Sequence, residues 1–291
     1  MLFLNGERGL SVARAVLQAG HKIVRIVVPD TLIDSLVAAK LSDLDVEVVS
    51  IKNINDGKFI KQLSALRPQL LIVAGYPTIF RKPLLNIAEN GAINLHGGRL
   101  PQYRGGSPLN WQIINGETVA GISVTKLTDR IDAGDVLSES EISISTKDTI
   151  NTIHMRANEL FSKLTLEVLA GFDTGRVSRR VQSEQDACYW HQRNDEDGWI
   201  SWRSFSAIEV YNFVRALTRP YAGAFSYSEG ERVRLFEVAI PDFVLRGTPG
   251  RVCYVQGNGP YVVCRDRSIL VRDYKFEKND KTSLRHGITL E

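Results

Sequence analysis

Two short stretches of the chain contain three side chains that could act together on one carbon atom. Asn94 and His96 stand two residues apart in the apolar run 91–96, which two glycines end. The pattern predicts a β-strand, and because side chains alternate along a strand, Asn94 and His96 share one face. Asp132 follows later in the chain, and Gly134 beside it permits a tight turn.

These residue types suit nucleophilic attack on a carbonyl carbon. The Asn94 amide can donate a hydrogen bond to an oxyanion, and the His96 imidazole can take up a proton. Asp132 is the candidate for a third group that orients the imidazole and stabilises its charge. From the residue types alone, a structural role for all three stays open, with the following glycines and prolines forming an ordinary loop.

The elements that must position these residues alternate between strand and helix. This alternation predicts an α/β fold with a Rossmann-like, mostly parallel sheet and helices on both faces. No Gly-x-Gly-x-x-Gly follows the first strand, so a dinucleotide site is not expected. The predicted strands are residues 1–4, 21–28, 46–49, 70–74 and 91–96, and the predicted helices are residues 9–19, 31–39, 56–66 and 148–169.

The second part of the chain has a different pattern. Ser206 and Glu209 have the spacing of a capping box, which predicts the start of a helix over residues 208–217. Beyond Pro220, short apolar runs between turn residues predict a small open β-barrel that is OB-like. We expect a catalytic domain at residues 1–183, a linker at residues 184–205, and a linker helix with the barrel at residues 206–291.

The motif around Asn94 continues into the following loop. After Asn94-x-His96 comes Leu-Pro-Gln-Tyr-Arg-Gly-Gly-Ser-Pro at residues 100–108, and Asp-Ala-Gly begins at Asp132. This combination resembles the folate-dependent formyltransferases, and the likeness covers most of residues 1–240. The resemblance implies that the three residues are the catalytic set and that 10-formyltetrahydrofolate is the formyl donor. Because the His and Cys residues are scattered along the chain, no metal is expected.

The resemblance also implies where the donor binds. In the family the pterin ring lies along two loops and is held largely by backbone groups. The corresponding segments here are residues 76–80 and 127–132. The expected folate contacts are Tyr76, Ile79, Phe80, Thr128, Asp129 and Asp132.

The second part of the chain should decide which amine is formylated. Residues 211–217 and 219–227 are similar to the sugar-nucleotide formyltransferases. This likeness implies an amino sugar on a nucleotide, with dTDP-4-amino-4,6-dideoxyglucose favoured, for bacterial surface-polysaccharide synthesis. Because arginine holds phosphates bidentately, one or two arginines would suffice for a pyrophosphate. The expected substrate-binding residues are Arg99, Tyr103, Arg215 and Tyr221.

Two other functions stay open. A methionyl-tRNA formyltransferase would perform the same chemistry on a nucleic acid, and a hydrolytic or folate-binding relative would release formate to water. From residue 199 on, 14 Lys and Arg stand against 10 Asp and Glu, a modest surplus for a tRNA-binding surface. The chain also passes from the strand at 21–28 to the helix at 31–39 with little room for the basic loop of the tRNA enzymes. We therefore expect no nucleic-acid partner.

Composition agrees with an ordinary globular enzyme. The 291 residues are 43% hydrophobic and 24% charged, with a net charge of +3. The three cysteines have neither disulfide-framework nor metal-site spacing, so we expect a cytoplasmic location. No apolar run has the length of a membrane span, so no membrane partner is expected. The family resemblance implies a homodimer formed through the second domain.

Overall fold

The computed structural model describes residues 1–30, 35–278 and 283–291. Its contacts divide the chain into two compact units, each built from three stretches. The first unit comprises Met1–Pro108, Ala120–Ile142 and Met155–Trp190, and the second comprises Leu109–Val119, Ser143–His154 and His191–Glu291. The domain bounds drawn from the sequence stay a prediction.

The described part of the chain contains fourteen strands, seven α-helices and a 3-10 helix at Glu196–Gly198. The strands are β1 (Leu2–Leu4), β2 (Ile26–Pro29), β3 (Val48–Ile51), β4 (Leu71–Ala74), β5 (Ala92–His96), β6 (Arg104–Gly105), β7 (Val119–Lys126), β8 (Val136–Ser143), β9 (Tyr189–Trp190), β10 (Ala224–Ser228), β11 (Glu231–Ala239), β12 (Val252–Val255), β13 (Asn258–Val263) and β14 (Ser268–Phe276). The helices are α1 (Gly6–Gln18), α2 (Ser35–Ser42), α3 (Gly57–Ala65), α4 (Lys82–Leu85), α5 (Pro108–Ile114), α6 (Ile150–Asp173) and α7 (Ala207–Leu217).

Seven of the described strands form one sheet, in the order β3-β2-β1-β4-β5-β7-β8. The pairings from β3 through β5 are parallel, whereas β7 runs antiparallel to β5. Strands β1, β2 and β4 are buried along their whole length, because their side chains are apolar on both faces, as a covered parallel sheet requires. The mostly parallel α/β fold predicted from the sequence is confirmed.

Strand β5 carries the predicted catalytic pair. It lies between β4 and β7, with Val73 paired to Asn94 on one edge and Ser123 paired to His96 on the other. Because both edges of β5 are hydrogen-bonded, the sheet fixes the direction of its side chains. Asn94 and His96 therefore occupy the same face at the end of an interior strand.

The described part of the second unit contains a five-stranded antiparallel sheet, in the order β10-β11-β14-β13-β12. Residues 288–291 connect its two edges. Leu290 forms a bridge to Ser228 of β10, and Thr289 forms one to Arg251, which precedes β12. The last residues of the chain thus bridge to both sides of the sheet, and the small β domain predicted after the linker helix is confirmed.

Helix α7 begins at the predicted capping box. The Ser206 side chain accepts a hydrogen bond from the backbone N–H of Glu209, and the Glu209 carboxylate accepts one from the Ser206 N–H at 2.7 Å. Each of these two side chains thus accepts a hydrogen bond from the backbone N–H of the other residue. Because this pattern depends only on residue types and spacing, the start of the helix can be predicted from the sequence.

Among the residues that the structure describes, no helix combines the length and the apolar character needed to cross a membrane. The start of the helix predicted over residues 31–39, and with it the short connection before that helix, falls at residues 31–34, which lie outside the described residues. From Ser35 on, this segment is helix α2.

Candidate active site

The end of strand β5 meets a turn that contains Asp132. Asn94 Nδ2 donates a hydrogen bond to Asp132 Oδ1 at 3.3 Å, and His96 Nδ1 lies 3.5 Å from Asp132 Oδ2. The backbone N–H of Gly105 donates to the same Oδ2 at 2.9 Å. The structure thus brings the three predicted catalytic residues together, and the loop after His96 adds a backbone donor that the sequence did not reveal.

The turn at Asp132 is tight. Asp132 has φ of +47°, in the left-handed region that non-glycine residues adopt at a cost. A Cβ on Gly134 would lie 1.8 Å from the Lys126 carbonyl oxygen, so only glycine fits that position. The predicted turn is present, and its backbone needs support from its surroundings to hold this conformation.

The orientation of the His96 ring is fixed by a backbone carbonyl. His96 Nε2 lies 2.6 Å from the Tyr103 oxygen, and a carbonyl only accepts, so we assign the proton of the neutral ring to Nε2. Gly98 packs against this contact, and a Cβ there would lie 2.5 Å from the same oxygen. Nδ1, beside Asp132, is therefore the nitrogen that is placed to take up a proton.

The loop after His96 is anchored by Arg104, whose side chain is completely buried. Its guanidinium donates to the Glu184 carboxylate at 3.1 and 3.3 Å and to the Tyr189 hydroxyl at 2.8 Å. Burial by itself lowers the pKa of Arg104, but the hydrogen bonds to Glu184 and Tyr189 outweigh it and raise that pKa. The loop is thus tied to the segment that contains β9.

A buried glutamine lies between Arg104 and the Asp132 turn. Gln182 Nε2 donates to the backbone carbonyls of Asp132 and Gly134, at 2.8 and 2.6 Å. Gln182 Oε1 accepts from Arg104 Nε at 3.0 Å. One amide side chain therefore joins the anchored loop to the turn.

The first of the two predicted folate loops presents its backbone. The Tyr76 and Phe80 rings pack edge-on against Phe3 in the core, with ring centroids 5.8 and 4.9 Å from that of Phe3. Burial, together with the charge of Asp30, raises the pKa of Tyr76 to about 12. Ile79, by contrast, is 68% exposed. The Tyr76 and Phe80 side chains thus belong to the core, and contact from this loop would come from its backbone and Ile79.

The second predicted folate loop is exposed and polar. Thr128 Oγ1 donates to the Arg130 carbonyl at 3.1 Å, and Asp129 forms an ion pair with Lys82 at 2.9 Å. The hydrogen bond from Lys82 lowers the pKa of the Asp129 carboxyl. The chain then reaches Asp132, so the last residue of this loop is a member of the predicted catalytic set.

The predicted substrate residues divide between the two units. In the first, Arg99 is partly exposed and pairs with Glu141 at 3.1 Å, while the buried Tyr103 ring stacks on Trp190 with centroids 5.5 Å apart. A cavity of about 570 Å³ is lined by Arg99 together with residues 100–102, 121–123, 139–141, 180, 181, 183 and 186. Arg99 is thus the predicted substrate residue that faces open space in this unit.

In the second unit, Arg215 and Tyr221 are engaged by neighbouring residues. The Arg215 guanidinium donates to the Ser145 and Asp148 carbonyls at 2.9 and 3.0 Å, and burial lowers its pKa. The Tyr221 hydroxyl lies 3.0 Å from His154 Nε2. Through these contacts Arg215 supports the residues that precede α6.

Within the described residues, no three His, Cys, Asp or Glu side chains are grouped closely enough to hold a metal ion.

Comparison with known proteins places this geometry in a family. The sequence model of the family described as "Formyl transferase" matches residues 11–169, more than half of the chain. This chain belongs to the formyl transferase family. A second model, described as "Formyl transferase, C-terminal domain", matches residues 193–287. Asn94, His96 and Asp132 all lie within the first match.

Three known proteins illustrate what this chain is similar to. The bifunctional polymyxin resistance protein ArnA from Wigglesworthia glossinidia brevipalpis is 31% identical over 285 residues, which are 95% of this chain and 42% of ArnA. HypX from Aquifex aeolicus, solved with tetrahydrofolic acid, aligns with a TM-score of 0.65 at 19% identity over 95% of this chain and 44% of HypX. An N-formyltransferase from Helicobacter canadensis, solved with folinic acid and dTDP-3-aminofucose, has a TM-score of 0.66 at 13% identity over 93% of this chain and 98% of its own. The two structural matches show a shared fold, and this chain spans less than half the length of ArnA and HypX.

Sequence reasoning missed two residues that support the site. Arg104 stands inside the loop motif shared with the formyl transferases, so the motif itself was a signal that the residue has a task. Gln182 stands in an irregular stretch just before the predicted linker, and its environment consists of residues far away along the chain. The sequence carries no local sign of its role.

Proposed function

We propose that this formyl transferase family member transfers a formyl group from 10-formyltetrahydrofolate to the amine of a nucleotide-linked amino sugar. The favoured acceptor is dTDP-4-amino-4,6-dideoxyglucose. The observation that carries the proposal is the convergence of Asn94 and His96 on the Asp132 carboxylate, in a chain matched by both family models. The H. canadensis enzyme, solved with folinic acid and dTDP-3-aminofucose, supports a dTDP-linked amino sugar as the class of acceptor.

The two loops predicted to hold the donor suit an aromatic ring. Each carries an exposed apolar side chain, Ile79 at 68% and Ile131 at 54% exposure. Asn55 braces the first loop, donating to the Ile79 carbonyl at 2.9 Å and accepting from the Arg81 N–H at 3.0 Å. A braced backbone with exposed apolar side chains offers both ring stacking and fixed polar groups. The donor itself supplies a formyl carbon attached to nitrogen.

Formyl transfer makes a bond between the amine nitrogen and the formyl carbon, breaks the bond from that carbon to the donor nitrogen, and moves one proton between the nitrogens. His96 is placed to take that proton at Nδ1, because its Nε2 is committed to the Tyr103 carbonyl. The positive charge that forms on the ring is then 3.5 Å from Asp132 Oδ2. Attraction between these charges stabilises the protonated imidazole.

Asn94 is placed to stabilise the oxygen of the formyl group. Its amide nitrogen has two hydrogens, and one of them is directed at Asp132 Oδ1. The other can be donated to the oxygen as negative charge develops there. Asp132 therefore orients the amide through Oδ1 and is placed to stabilise the protonated imidazole through Oδ2.

The acceptor pyrophosphate is better matched by Arg99 than by Arg215. The Arg99 side chain is 41% exposed and lines a cavity of the first unit, where it pairs with the exposed Glu141. The Arg215 guanidinium is instead directed at carbonyl oxygens within its own unit. We propose that Arg99 binds the pyrophosphate of the acceptor. We also propose that the protein forms a homodimer.

The decisive experiment is an acceptor panel. The protein is incubated with 10-formyltetrahydrofolate and dTDP- or UDP-linked 3-amino and 4-amino sugars, and the products are examined by mass spectrometry for the gain of one formyl group. Asp132→Asn, treated identically, is the control for non-enzymatic formylation. A formylated nucleotide sugar that depends on Asp132 supports the proposal.

Two results would overturn the choice of acceptor. Formylation of methionyl-tRNA, with no nucleotide sugar modified, would assign the chain to the tRNA enzymes. Release of formate without formylation of any amine would instead identify a hydrolase. Both outcomes are measured in the same assay by adding methionyl-tRNA to the panel and quantifying formate.

A further inference from the structure

The Asp132 turn is held by a side chain from the end of the first unit, beyond helix α6. Gln182 is buried and uses both ends of its amide. The nitrogen donates to the carbonyls of Asp132 and Gly134, and the oxygen accepts from Arg104. An amide nitrogen has two hydrogens, so both of its donors are used within this one turn.

The orientation of this amide is determined by its partners. Arg104 Nε can only donate and the two carbonyls can only accept, so a flipped amide would face a like group at all three contacts. Arg104 is fixed in turn by Glu184 and Tyr189. We call the three hydrogen bonds of this side chain the Gln182 bridge. Because its partners are fixed at both ends of the amide, the bridge is rigid.

The turn needs such a support. Asp132 has φ of +47°, a conformation that is costly at non-glycine residues and persists only where the surroundings impose it. Its carboxylate must also stand between Asn94 and His96, where misplacement by about 1 Å typically costs ~10²-fold in rate. The Gln182 bridge holds the backbone on either side of Ala133, immediately behind the carboxylate.

We propose that Gln182 is a positioning residue, which holds the Asp132 carboxylate in the geometry that Asn94 and His96 require. It acts through the backbone of the turn and has no contact with the reacting groups. The kinetic part of this inference rests on the proposed function, whereas the structural part concerns only the environment of His96.

The first test does not depend on activity. Histidine labelled with 13C in the ring is incorporated, and the five His signals are compared in wild type, Gln182→Met and Asp132→Asn, with His96→Gln used to assign the His96 signal. We expect the His96 signal to move in Gln182→Met in the same direction as in Asp132→Asn, while the other four stay in place. Gln185→Met is the matched control, because Gln185 is an exposed amide three residues away.

The second test is kinetic. We expect Gln182→Met to lower kcat by roughly 10²-fold and to change KM for either substrate by less than about threefold, because ground-state contacts are left intact. In an Asp132→Asn background the same substitution should cost less than about threefold, since the carboxylate that it positions is already absent. General damage to the fold would instead add to the loss in both backgrounds.

An unmoved His96 signal in Gln182→Met overturns the proposal, as does a kcat within about threefold of wild type. If Gln182→Met does not fold, Gln182→Glu replaces it in both tests. This variant keeps the shape of the side chain and the acceptor for Arg104 but loses both donors. Failure of both variants to fold would show that Gln182 is a general structural residue and would also overturn the proposal. An inactive wild type with the expected His96 shifts would contradict the proposed function and leave the Gln182 bridge supported.

Discussion

Two aspartates, one in each unit, are surrounded by very different donors. The Asp132 carboxylate contacts the amide of Asn94, the backbone N–H of Gly105 and the imidazole of His96. The Asp195 carboxylate is bound by two guanidinium groups, from Arg232 at 2.8 Å and from Arg234 at 2.6 and 2.7 Å. The two carboxylates are chemically identical, and their neighbours give them different tasks.

At Asp195 the negative charge is balanced by permanent positive charges. The hydrogen bond from Arg234 lowers the pKa of Asp195, and the charges of Arg234 and Arg232 act in the same direction. Arg234 also pairs with Glu277 at 2.6 Å, so this cluster ties strand β11 to the chain on two sides. Such a site stabilises the fold, and the negative charge of its carboxylate is already balanced by the arginines.

At Asp132 the contacts are to groups without permanent charge. Its negative charge therefore stays available to a proton that arrives on the His96 ring, which is what a catalytic carboxylate must provide. The type of neighbour, rather than the residue type, distinguishes the two carboxylates, since uncharged donors surround Asp132 and guanidinium groups surround Asp195. Substitutions at the two sites should accordingly affect different measurements.

The largest effect is expected for Asp132→Asn. The substitution keeps the size of the side chain but removes the charge that stabilises a protonated His96, so turnover should fall by about 10³-fold. The free energy of unfolding should fall by about 1 kcal/mol, because no permanent ion pair is broken but the Asn amide can accept only one of the two hydrogen bonds from Asn94 and Gly105. Near-normal turnover would end the assignment of Asp132 as the orienting group.

Asn94→Ala should follow, with a loss of about 10²-fold in kcat, the typical cost of removing one oxyanion donor. Steady-state kinetics with both substrates should show little change in KM, since the interaction strengthens in the transition state. Asn90→Ala, an exposed amide just before β5, is the control and should behave as the wild type. Equal losses in the two variants would contradict the role of Asn94.

Arg234→Met should lower the free energy of unfolding by about 2 kcal/mol and leave turnover per folded molecule unchanged. The Arg234 side chain is only 11% exposed, and its removal leaves Asp195 and Glu277 without their main partner. Urea unfolding measures the effect. Arg272→Met, which breaks an exposed pair with Glu237, should cost less than about 0.5 kcal/mol.

The effect of Asp195→Asn should be smaller than that of Arg234→Met, below about 1 kcal/mol at pH 6, because the carboxylate is partly exposed. Since folding lowers the pKa of Asp195, its ion pairs stabilise the protein above the unfolded-state pKa of about 3.9. That contribution is lost as pH falls through the folded-state pKa. Urea unfolding at several pH values should show the difference between variant and wild type shrinking as the solution becomes acidic. A difference independent of pH would show that the charge of Asp195 is not what stabilises the fold.

Local rules were sufficient for much of this molecule. The alternation of side chains along β5 put Asn94 and His96 on one face, and the spacing of Ser206 and Glu209 located the start of α7. Gly134 indicated that a tight turn follows Asp132. Each of these inferences needs only a few neighbouring residues, which is why sequence alone supports them.

Inferences that depend on distant contacts were beyond the sequence. The orientation of Tyr76 and Phe80 toward the core is decided by Phe3, more than seventy residues earlier. Gln182 reaches a turn 50 residues before it, and Arg104 reaches a carboxylate 80 residues after it. No short-range pattern encodes such pairings, because they exist only once the sheet has brought the segments together.

The pairing of β6 with β9 has a consequence for the order in which the molecule is built. These two-residue strands join Arg104 to Tyr189, 85 positions apart, with the 24-residue helix α6 between them. As the chain leaves the ribosome, all seven strands of the large sheet emerge before β9 does. A nascent chain that has reached the end of α6 therefore holds the strand with Asn94 and His96 but lacks the partner that fixes the following loop. The geometry proposed to be catalytic can thus be completed only after this last segment of the first unit has been synthesised.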